Sequence, residues 1–529
     1  MTYEELERIK SEYSGVVEQK RQAWRAEHNG PFYRNQTRLV LRNVGIIDAN
    51  SIEEYIATEG YFGLARALGM SPEDIIDLVK SSGMRGRGGA GFPTGRKWEF
   101  VKAAEGDKKY VICNADEGDP GAFMDRMILE GDPHSVLEAM IIAGYAVGAS
   151  YGYVYVRAEY PQAVKNVQAA VARARQVGLL GRDILGHGFS FDIEVRLRAG
   201  AYVCGEETAL IASIEGKRGE PNPKPPFPAT RGLYGKPTLI NNVETLSAIP
   251  MTILKGAEYW NTLGSSNNTG TKVFALAGHV TNSGLVEVPM GTTIKRLIVD
   301  IGGCTVRGKA GDGADFVCSL SDIKAVQVGG PSGGCVPMSM FDLPLDFDSL
   351  GETGSILGSG GLVVMDKNTC MVDVAKFFTK FSVDESCGKC TPCRIGNLKL
   401  LNILEKISSG KGQESDLEEL EKLSHVIKET SLCGLGQSSP NPVLSTLSHF
   451  RAEYLEHIRG GRCRAGVCRA LVNYGISEKC IMCTLCVRTC PVGAITGELK
   501  QPHSIDKEKC IRCGKCVPIC PVEAIAGQG

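Results

Sequence analysis

A cysteine pattern that occurs twice near the end of the chain constrains its fold more than any other feature. The copies lie thirty residues apart and contain Cys480, Cys483, Cys486 and Cys490, then Cys510, Cys513, Cys516 and Cys520, each followed by proline. The spacing C-x2-C-x2-C-x3-C-P binds two [4Fe–4S] clusters, and the fourth cysteine of each run serves the other cluster. We therefore predict one cluster on Cys480, Cys483, Cys486 and Cys520 and another on Cys510, Cys513, Cys516 and Cys490.

A third cysteine group lies upstream. Cys387, Cys390 and Cys393 are each separated by two residues, and Cys433 follows forty residues later. Three close thiolates and a distant fourth favour a [4Fe–4S] cluster. Tetrahedral Zn²⁺ is the alternative, because four thiolates also suit that ion.

The other eight of the twenty cysteines belong to no such run. Six of them are predicted to be buried apolar thiols, the most frequent role of free cysteine: Cys113, Cys204, Cys304, Cys318, Cys335 and Cys370. Cys463 and Cys468 differ, because they lie in a linker rich in arginine and glycine with His457 before them and His503 after. These four residues predict a structural Zn²⁺ site, with free thiols as the alternative.

The composition excludes several classes of protein. The 529 residues carry 59 basic and 60 acidic side chains, so no charge excess indicates binding to nucleic acid or to an anionic membrane. No apolar run reaches the length of a membrane-spanning helix, and the polar N-terminus does not resemble a signal peptide. Dense cysteine triplets in a long chain indicate iron–sulfur ligation in a reducing compartment, so we expect a cytoplasmic or matrix-like location.

A glycine-rich stretch, residues 84–98, predicts a second type of site. It contains five glycines within ten residues, together with arginines and a Lys-Trp pair. Glycine permits close approach of the backbone to a ligand, and successive free N–H groups bind anions. The stretch predicts a loop around a phosphorylated cofactor, with a purely structural loop as the alternative.

Strands that alternate with helices from residue 110 onward predict a mostly parallel α/β sheet. Asn114, Asp116, Glu117 and Asp119 follow the first strand, at the end where such sheets bind ligands. The alternative is a solvated loop with capping aspartates. The adjacent Glu206 and Glu207 lie at the same crevice or simply complement a helix dipole.

Further patterns predict individual elements. Leu39–Ile47 is predicted as a strand, and a capping box at Ser51 opens a helix that runs to about Leu68. Residues 271–335 predict a small β-grasp-like insert with a helix over 293–299. The pattern from 372 to 447 is helical.

Together these motifs resemble the NADH-binding flavoprotein subunit of respiratory complex I and of its soluble relatives, which include NAD-linked hydrogenases, formate dehydrogenases and transhydrogenases. The resemblance covers about residues 35–450 and rests on six motifs: Gly86-Arg-Gly-Gly-Ala-Gly-Phe-Pro-Thr-Gly-x-Lys-Trp98, Asn114-Ala-Asp-Glu117, Gly205-Glu-Glu-Thr208, Lys224-Pro-Pro-Phe227, Asn241-Asn-Val-Glu-Thr245, and the Cys387 group with Cys433.

The resemblance implies a fold and its cofactors. The expected fold is a multidomain α/β protein with FMN, three [4Fe–4S] clusters and NAD(H) as substrate. Its expected parts are a helical extension (1–40), a Rossmann-like FMN- and NAD(H)-binding domain (41–248), a β-grasp-like domain (249–340), a helical-bundle [4Fe–4S] domain (341–450), a linker with a metal site (451–474) and a bacterial two-cluster ferredoxin domain of α+β type (475–529).

The resemblance also implies the site residues. FMN is expected to contact Gly86, Arg87, Gly88, Gly89, Ala90, Lys97, Asn114, Asp116, Gly205, Glu206, Glu207, Asn241 and Asn242. NADH is expected to stack on the flavin against Phe92, Phe100, Tyr202, Glu207, Lys224 and Phe227. Glu117 and Glu207 are expected to position the reactants, and no side chain acts as general acid or base.

Two positions modify this expectation. Glu207 matches the carboxylate that meets the adenosine ribose, so it is expected to repel a 2′-phosphate and favour NAD(H) over NADP(H). Asp119 stands where the respiratory enzymes carry Glu, which leaves the local contacts and the tuning of the flavin open.

The ferredoxin tail resembles soluble hydrogenase and electron-bifurcating relatives, whereas the complex I subunit lacks it. The expected function is hydride exchange between NADH and FMN, then single-electron transfer through the clusters, coupled by bifurcation to ferredoxin and to H₂, formate or NADPH. A non-bifurcating hydrogenase or formate dehydrogenase module is the first alternative, and an electron-transfer scaffold without flavin the second. Expected partners are a thioredoxin-like [2Fe–2S] subunit, a catalytic iron–sulfur subunit and ferredoxin, with no nucleic acid and no membrane.

Overall fold

The computed structural model describes residues 1–198, 201–305 and 318–528. The first domain is a parallel four-stranded sheet with helices on both faces, and its strand order is β3-β2-β1-β4. Its elements are α1 (Tyr3–Glu27), α2 (Pro31–Arg34), α3 (Ile52–Ala57), α4 (Phe62–Leu68), α5 (Pro72–Ser81), α6 (Thr94–Ala103), β1 (Tyr110–Ala115), α7 (Met124–Gly131), α8 (Pro133–Val147), β2 (Tyr151–Arg157), α9 (Pro161–Gln176), β3 (Asp192–Arg198), α10 (Glu207–Ile214), α11 (Pro228–Arg231), β4 (Thr238–Asn242), α12 (Val243–Lys255) and α13 (Ala257–Asn261).

Helix α8 forms the centre of this domain. All of its residues except Tyr145 are buried, and it packs against α12, α4 and strand β1. A helix that is mostly apolar around its whole circumference is stable only inside a protein. The multidomain α/β fold that the sequence predicts is present, with a parallel sheet and helices.

The stretch 39–47, predicted as a strand, is instead a series of turns. The buried carboxylate of Glu287 accepts hydrogen bonds from the backbone N–H groups of Leu39, Val40 and Leu41 at 2.9 Å each. Arg38 donates to the carbonyls of Leu41 and Val44. The Glu287 and Arg38 side chains thus satisfy backbone N–H and C=O groups that would otherwise bond to a neighbouring strand.

The helix predicted from Ser51 to about Leu68 is broken into α3 and α4. Glu59 and Tyr61 between them adopt positive φ values of 70° and 63°. The buried Glu138 carboxylate accepts from the backbone N–H groups of Tyr61 and Leu64, at 2.8 Å in both cases. Glu138 therefore caps α4 from a helix more than seventy residues away in sequence, which local patterns do not reveal.

The second domain contains a five-stranded sheet of order β10-β9-β11-β7-β8. It extends past residue 340, because β11 pairs with both β7 and β9. The helix predicted over 293–299 is a short α14 that continues as a wider turn over Leu297–Ile301. The elements are β5 (Gly264–Ser265), β6 (Asn268–Thr269), β7 (Thr271–Gly278), β8 (Gly284–Pro289), α14 (Ile294–Arg296), β9 (Ile323–Val328), β10 (Gly334–Pro337), α15 (Phe347–Glu352) and β11 (Gly361–Asp366).

Two cysteines of this domain form a disulfide between Cys304 and Cys318. Both were expected to be free apolar thiols, so the structure corrects that prediction. Both residues are buried, as expected. The spacing of the two cysteines in the sequence did not reveal the pairing.

The remaining chain forms a helical domain and a small tail domain. The helices are α16 (Met371–Asp384), α17 (Asn397–Ser408), α18 (Ser415–Thr430), α19 (Gly434–Ser438) and α20 (Asn441–Arg459). The tail contains β12 (Asn473–Ile476), α21 (Leu485–Thr489), β13 (Ile495–Thr496), β14 (Ser504–Ile505) and β15 (Ile525–Gln528). In the part of the chain that the structure describes, every helix is too short or too polar to cross a bilayer.

Candidate functional site

The crevice lies where the order of the first sheet reverses. Strands β2 and β3 continue on one side of β1, and β4 lies on its other side. Asn114 of β1 is in register with Asn242 of β4 at their carboxyl ends. Such a reversal leaves room for a ligand outside the carboxyl ends of the strands.

The glycine-rich loop covers one side of this crevice. It is closed by hydrogen bonds from Gly86 N to Phe92 O and from Thr94 N to Met84 O. Among the described residues, the N–H groups of 88–91 donate to no protein acceptor. Free amides immediately before α6 suit a phosphate. The loop therefore fits the phosphorylated cofactor that the sequence predicts.

At two positions of the loop, the structure explains why the residue is glycine. Gly89 has a φ of +119°, which strongly favours glycine, and a Cβ there would lie 3.3 Å from the backbone of Gly358. At Gly88 a Cβ would come within 3.0 Å of the Cβ of Asn242. Larger residues would therefore disturb the loop where it meets β4 and the second domain.

The Arg87 side chain points away from the crevice. It is buried and donates to the carbonyls of Arg85, Thr269 and Thr271, at 2.7, 2.7 and 3.0 Å. Its backbone N–H donates to Thr245 Oγ1. Arg87 thus ties the loop to the second domain, and its guanidinium is not available to a ligand in the crevice.

Asp116 is the carboxylate most suited to bind a ligand. Its side chain is buried, and neither carboxylate oxygen accepts a hydrogen bond from the described part of the protein. Burial raises the pKa of Asp116 to about 7, although Arg157, 3.9 Å away, opposes the shift. A ligand that donates N–H or O–H groups would satisfy these oxygens. Asn114 stands beside it and donates to Gly205 O at 2.9 Å.

Glu117 lies behind the crevice, where it caps a helix. Its two oxygens accept from the backbone N–H groups of Asp125 and Arg126 at the start of α7, at 3.2 and 3.1 Å. Burial raises the pKa of Glu117 to about 7 despite these donors. Glu117 therefore fixes the start of α7.

Asp119 connects the first domain to the second. Its carboxylate accepts from Tyr202 Oη at 2.6 Å and from the hydroxyl of Ser359. Tyr202 Oη also lies 3.0 Å from Ser332 Oγ. Ser332 and Ser359 had no signal in the sequence, because they come from loops of the second domain that only the fold brings here.

A pair of glutamates and a pair of lysines form the opposite wall. Glu207 contacts Lys97, and Lys224 lies 3.8 Å from Glu207 and 2.8 Å from Glu206. Burial would raise the pKa of Glu207, but the two lysines outweigh it and hold the pKa below its usual value. Glu207 is therefore ionised. Glu206 accepts from the N–H groups of Thr208 and Ala209, so it also caps α10.

Aromatic and amide side chains complete the surroundings. Phe92, Phe100 and Phe227 are each roughly half exposed, and the first two rings lie 6.5 Å apart. Exposed rings at the mouth of a polar crevice suit stacking of a nucleotide. Asn241 accepts from Trp98 at 3.0 Å, and Asn242 donates to Asp125 at 2.6 Å, so the two amides of β4 are held in place.

The Cys387 group lies directly behind this wall. Cys387, Cys390, Cys393 and Cys433 line one cavity together with Val203 and Pro221 of the first domain. Lys389 also donates to Pro221 O at 2.7 Å. Four converging thiols beside an apolar surface are a donor set that fits a [4Fe–4S] cluster.

The tail contains two further thiol cavities. Cys480, Cys483, Cys486 and Cys520 line one, and Cys490, Cys510, Cys513 and Cys516 line the other. Each cavity therefore draws its fourth cysteine from the other copy of the repeat. Matching backbone donors approach the sulfurs in both copies: Met482 N to Cys480, Arg512 N to Cys510, Ala494 N to Cys490 and Ala524 N to Cys520.

Comparison with known proteins shows the family. Residues 79–251 match the Nuo51 FMN-binding domain, residues 373–457 the iron–sulfur binding region of NADH-ubiquinone oxidoreductase F, and residues 475–526 a 4Fe-4S dicluster domain. The chain is 55% identical to the NADP-reducing hydrogenase subunit HndC of Solidesulfovibrio fructosivorans, over 89% of this chain and 94% of that protein. This chain belongs to the NADH-quinone oxidoreductase F family of flavoprotein subunits.

Other members agree with this assignment. The NADH-quinone oxidoreductase F 2 subunit of Rhizobium meliloti is 45% identical, over 80% of this chain and 98% of that protein. The crystal structure of an NAD⁺-reducing [NiFe]-hydrogenase in the H₂-reduced state superposes with a TM-score of 0.68 at 34% identity, over 80% of this chain and 67% of that one. The chain is thus an NADH dehydrogenase-type flavin oxidoreductase module with FMN and iron–sulfur binding domains.

A further ligand group of this family member joins the helical domain to the linker before the tail. Cys370, His457, Cys463 and Cys468 are all buried, and their ligand atoms lie within 4.8 Å of one another. Cys370 Sγ is 3.4 Å from His457 Nε2 and 3.9 Å from Cys468 Sγ. Bonds of about 2.3 Å to sulfur and 2.0–2.1 Å to nitrogen at tetrahedral angles separate ligands by about 3.5–3.8 Å. The spacing suits one tetrahedral ion.

This group corrects the predicted ligand set. Cys370 was expected to be an apolar thiol, but it lies in the group, at the start of α16. His503 was expected to be a ligand, but its Nδ1 lies 3.5 Å from Cys480 Sγ in the tail. Cys370 is more than eighty residues before the other ligands, so no spacing could have revealed it.

Proposed function

We propose that this chain oxidises or reduces NAD(H) at a bound FMN and exchanges single electrons between that FMN and three [4Fe–4S] clusters. The observation that carries the proposal is the contact between the crevice and the Cys387 cavity. The wall formed by Glu206, Glu207 and Lys224 faces the crevice, and Pro221, three residues before Lys224, lines the cavity. FMN, when bound, supplies the conversion between a two-electron hydride and one-electron acceptors.

The residues of the crevice bind and orient. The free N–H groups of 88–91 are suited to the phosphate of FMN. Asp116, whose oxygens lack donors among the described residues, is suited to hydrogen-bond donors of the ligand. The half-exposed Phe92, Phe100 and Phe227 are suited to stack the nucleotide and exclude water. Because positioning is the main requirement of hydride transfer, the crevice needs no general base.

We further propose NAD(H) as the preferred nucleotide. Glu207 is ionised and would repel a 2′-phosphate. The second candidate is NADP(H), because Lys97 and Lys224 lie beside Glu207 and the 55% identical relative is an NADP-reducing hydrogenase subunit. Steady-state kinetics with both nucleotides decides between them.

Glu207→Gln tests the role of this carboxylate. The substitution removes the negative charge and leaves both lysines, so the ratio of kcat/KM for NADH to that for NADPH should fall at least about tenfold. Glu99→Gln is the control, because Glu99 is exposed on α6 and bonded to Lys80 outside the crevice. An unchanged ratio in Glu207→Gln would exclude the proposed role.

The tail supports coupling to further redox partners. We propose that it exchanges electrons with a catalytic iron–sulfur subunit of hydrogenase, formate dehydrogenase or transhydrogenase type, with a thioredoxin-like [2Fe–2S] subunit completing the assembly. Electron bifurcation with ferredoxin and H₂, formate or NADPH is the favoured form. A non-bifurcating module is the alternative, and it predicts that the purified complex turns over without ferredoxin.

An anaerobic titration of the reconstituted chain tests the central proposal. NADH should bleach the flavin and iron–sulfur absorbance together, and NADPH should have little effect. Flavin bleaching with oxidised clusters would contradict the proposed path within this chain. Failure to bind FMN after reconstitution would favour the scaffold without flavin.

We also propose that Cys370, His457, Cys463 and Cys468 hold a structural Zn²⁺. Three thiols and an imidazole in tetrahedral spacing are a frequent zinc set with no open position. The ion would attach the linker before the tail to α16 and α20 of the helical domain. Its role would be to hold the tail in place and not to carry electrons.

A further inference from the structure

The two thiol cavities of the tail have the same backbone donors but different side chains. The repeat places a backbone N–H on equivalent sulfurs of each copy. Beside Cys480 there is also an imidazole, because His503 Nδ1 lies 3.5 Å from its Sγ. In the part of the tail that the structure describes, no side chain donates to Cys510 Sγ.

The corresponding position of the second cavity is taken by a tyrosine. Tyr474, on β12, precedes His503 by twenty-nine residues and lines the cavity of Cys490, Cys510, Cys513 and Cys516. Its Oη packs against Gly514, where a Cβ would lie 2.8 Å away. The Cys480 cavity is thus lined by an imidazole and the Cys510 cavity by a phenol.

His503 is held firmly in this place. It is buried, and it directly precedes β14, which pairs with β13. Gly497 lies against its ring, since a Cβ on Gly497 would come within 2.3 Å of His503 Cδ2. The ring therefore packs directly against the backbone of the hairpin at Gly497.

The chemistry of the neighbour determines what the imidazole does. A cysteine that binds a cluster is a thiolate without a hydrogen, so a bare Nδ1 lone pair would face its lone pairs. The Nδ1–H tautomer instead donates a hydrogen bond to the sulfur. Nε2 has no partner among the described residues, so no competing contact opposes this tautomer.

We propose that His503 donates a hydrogen bond to Cys480 and thereby raises the reduction potential of the cluster on Cys480, Cys483, Cys486 and Cys520 above that of its neighbour. Reduction adds one electron to a cluster and increases the negative charge on its sulfurs. A donor to sulfur stabilises that charge. His503 is a positioning residue, and an electron that enters the tail resides preferentially on the Cys480 cluster.

The test uses the full chain, reconstituted with iron and sulfide, in a redox titration followed by electron paramagnetic resonance. The inference rests on the proposed iron–sulfur content, so iron and sulfide are counted first, and a low count is a failure of that proposal alone. A Cys513→Ala background removes a ligand of the second tail cluster, so the Cys480 cluster titrates beside the Cys387 cluster alone, whose signal His503 variants should leave unchanged. NADH is not used, so the outcome is independent of the flavin.

His503→Phe keeps a ring and removes the donor. At a fixed applied potential, the ratio of reduced to oxidised Cys480 cluster should fall about three- to tenfold, because only the difference in hydrogen-bond strength between the two states contributes. His503→Asn places an amide N–H near the position of Nδ1 and should restore most of the ratio. Tyr474→Phe, the matched control, should leave the Cys480 cluster unchanged.

Three results would overturn the proposal: an unchanged potential in His503→Phe, an equal shift in His503→Asn, or, when His503→Phe is measured in protein that retains Cys513, an equal shift of both tail clusters. A second measurement needs no variant. In wild-type protein grown with ¹⁵N-histidine, pulsed resonance of the reduced Cys480 cluster should show coupling to one histidine nitrogen. The absence of that coupling would also refute the hydrogen bond.

Discussion

At the scale of single residues, the crevice contains carboxyl groups with different roles. Asp116 has no hydrogen-bond donor in the described structure, Glu117 caps α7, and Asp119 joins two domains. They lie within four positions in sequence, so proximity along the chain does not imply a shared function. The three residues lie in the segment between the end of β1 and the start of α7, and each side chain there points in a different direction.

The raised pKa of Asp116 makes stability depend on pH. A carboxyl whose pKa is about 7 when folded and about 3.9 when unfolded favours folding when protonated. Its contribution is complete below about pH 4 and is lost as pH rises through 7. Without FMN, the wild type should lose up to ~4 kcal/mol relative to Asp116→Asn between pH 4 and 8.

Denaturation of both proteins at several pH values measures this difference. Asp107→Asn is the control, because Asp107 is exposed and pairs with Lys236 at the surface. Parallel pH profiles for wild type and Asp116→Asn would show that Asp116 is not protonated in the folded protein.

At the scale of elements, the group of Cys370, His457, Cys463 and Cys468 joins two helices to the linker. Cys370 precedes α16, and His457 lies in the last turn of α20. The two other cysteines belong to the irregular chain that leads to β12. A bound ion would therefore fasten the irregular chain to α16 and α20, which already pack against each other.

Removal of the ion should loosen the linker. Cys468→Ser should lower the zinc content from about one ion per chain and make residues 460–472 more sensitive to limited proteolysis, with all iron retained. Cys335→Ser is the matched control, because Cys335 is also buried but lies outside the group. Full zinc content in Cys468→Ser would refute the site.

At the scale of the whole molecule, a few buried polar contacts join the domains. Arg87 reaches from the glycine-rich loop to the carbonyls of Thr269 and Thr271, at the start of the second domain. Asn441 of α20 donates to Ser332 O, and Ser445 accepts from Cys335 N. The crevice therefore depends on the second and third domains as well as on the first.

Arg87→Ala should weaken this arrangement. It removes the donor from two buried carbonyls and one partly buried carbonyl, so the free energy of unfolding should fall by roughly 3 kcal/mol. Arg96→Ala is the control, since Arg96 is exposed two residues into α6 and should change stability by less than about 0.5 kcal/mol. Equal thermal unfolding temperatures for the two variants would contradict the structural role of Arg87.

The sequence alone determined those features that depend on local spacing. The two-cluster repeat, the Cys387 triplet and the glycine-rich loop are each continuous in the chain, and their geometry follows from a few residues. The alternation of strands and helices was also predicted from the sequence, because hydrophobic residues recur with characteristic periods in each. These patterns were enough to identify the family.

Only the tertiary structure decided which distant side chains meet. It placed Cys370 with the linker cysteines and joined Cys304 to Cys318. Hydrogen bonds to the Glu287 carboxylate accompany turns where a strand was predicted over 39–47. Hydrogen bonds to the Glu138 carboxylate accompany the break in the helix predicted from Ser51 to about Leu68. A buried carboxylate must satisfy its oxygens with whichever N–H groups the fold brings near. Such pairings are long-range, and local patterns carry no information about them.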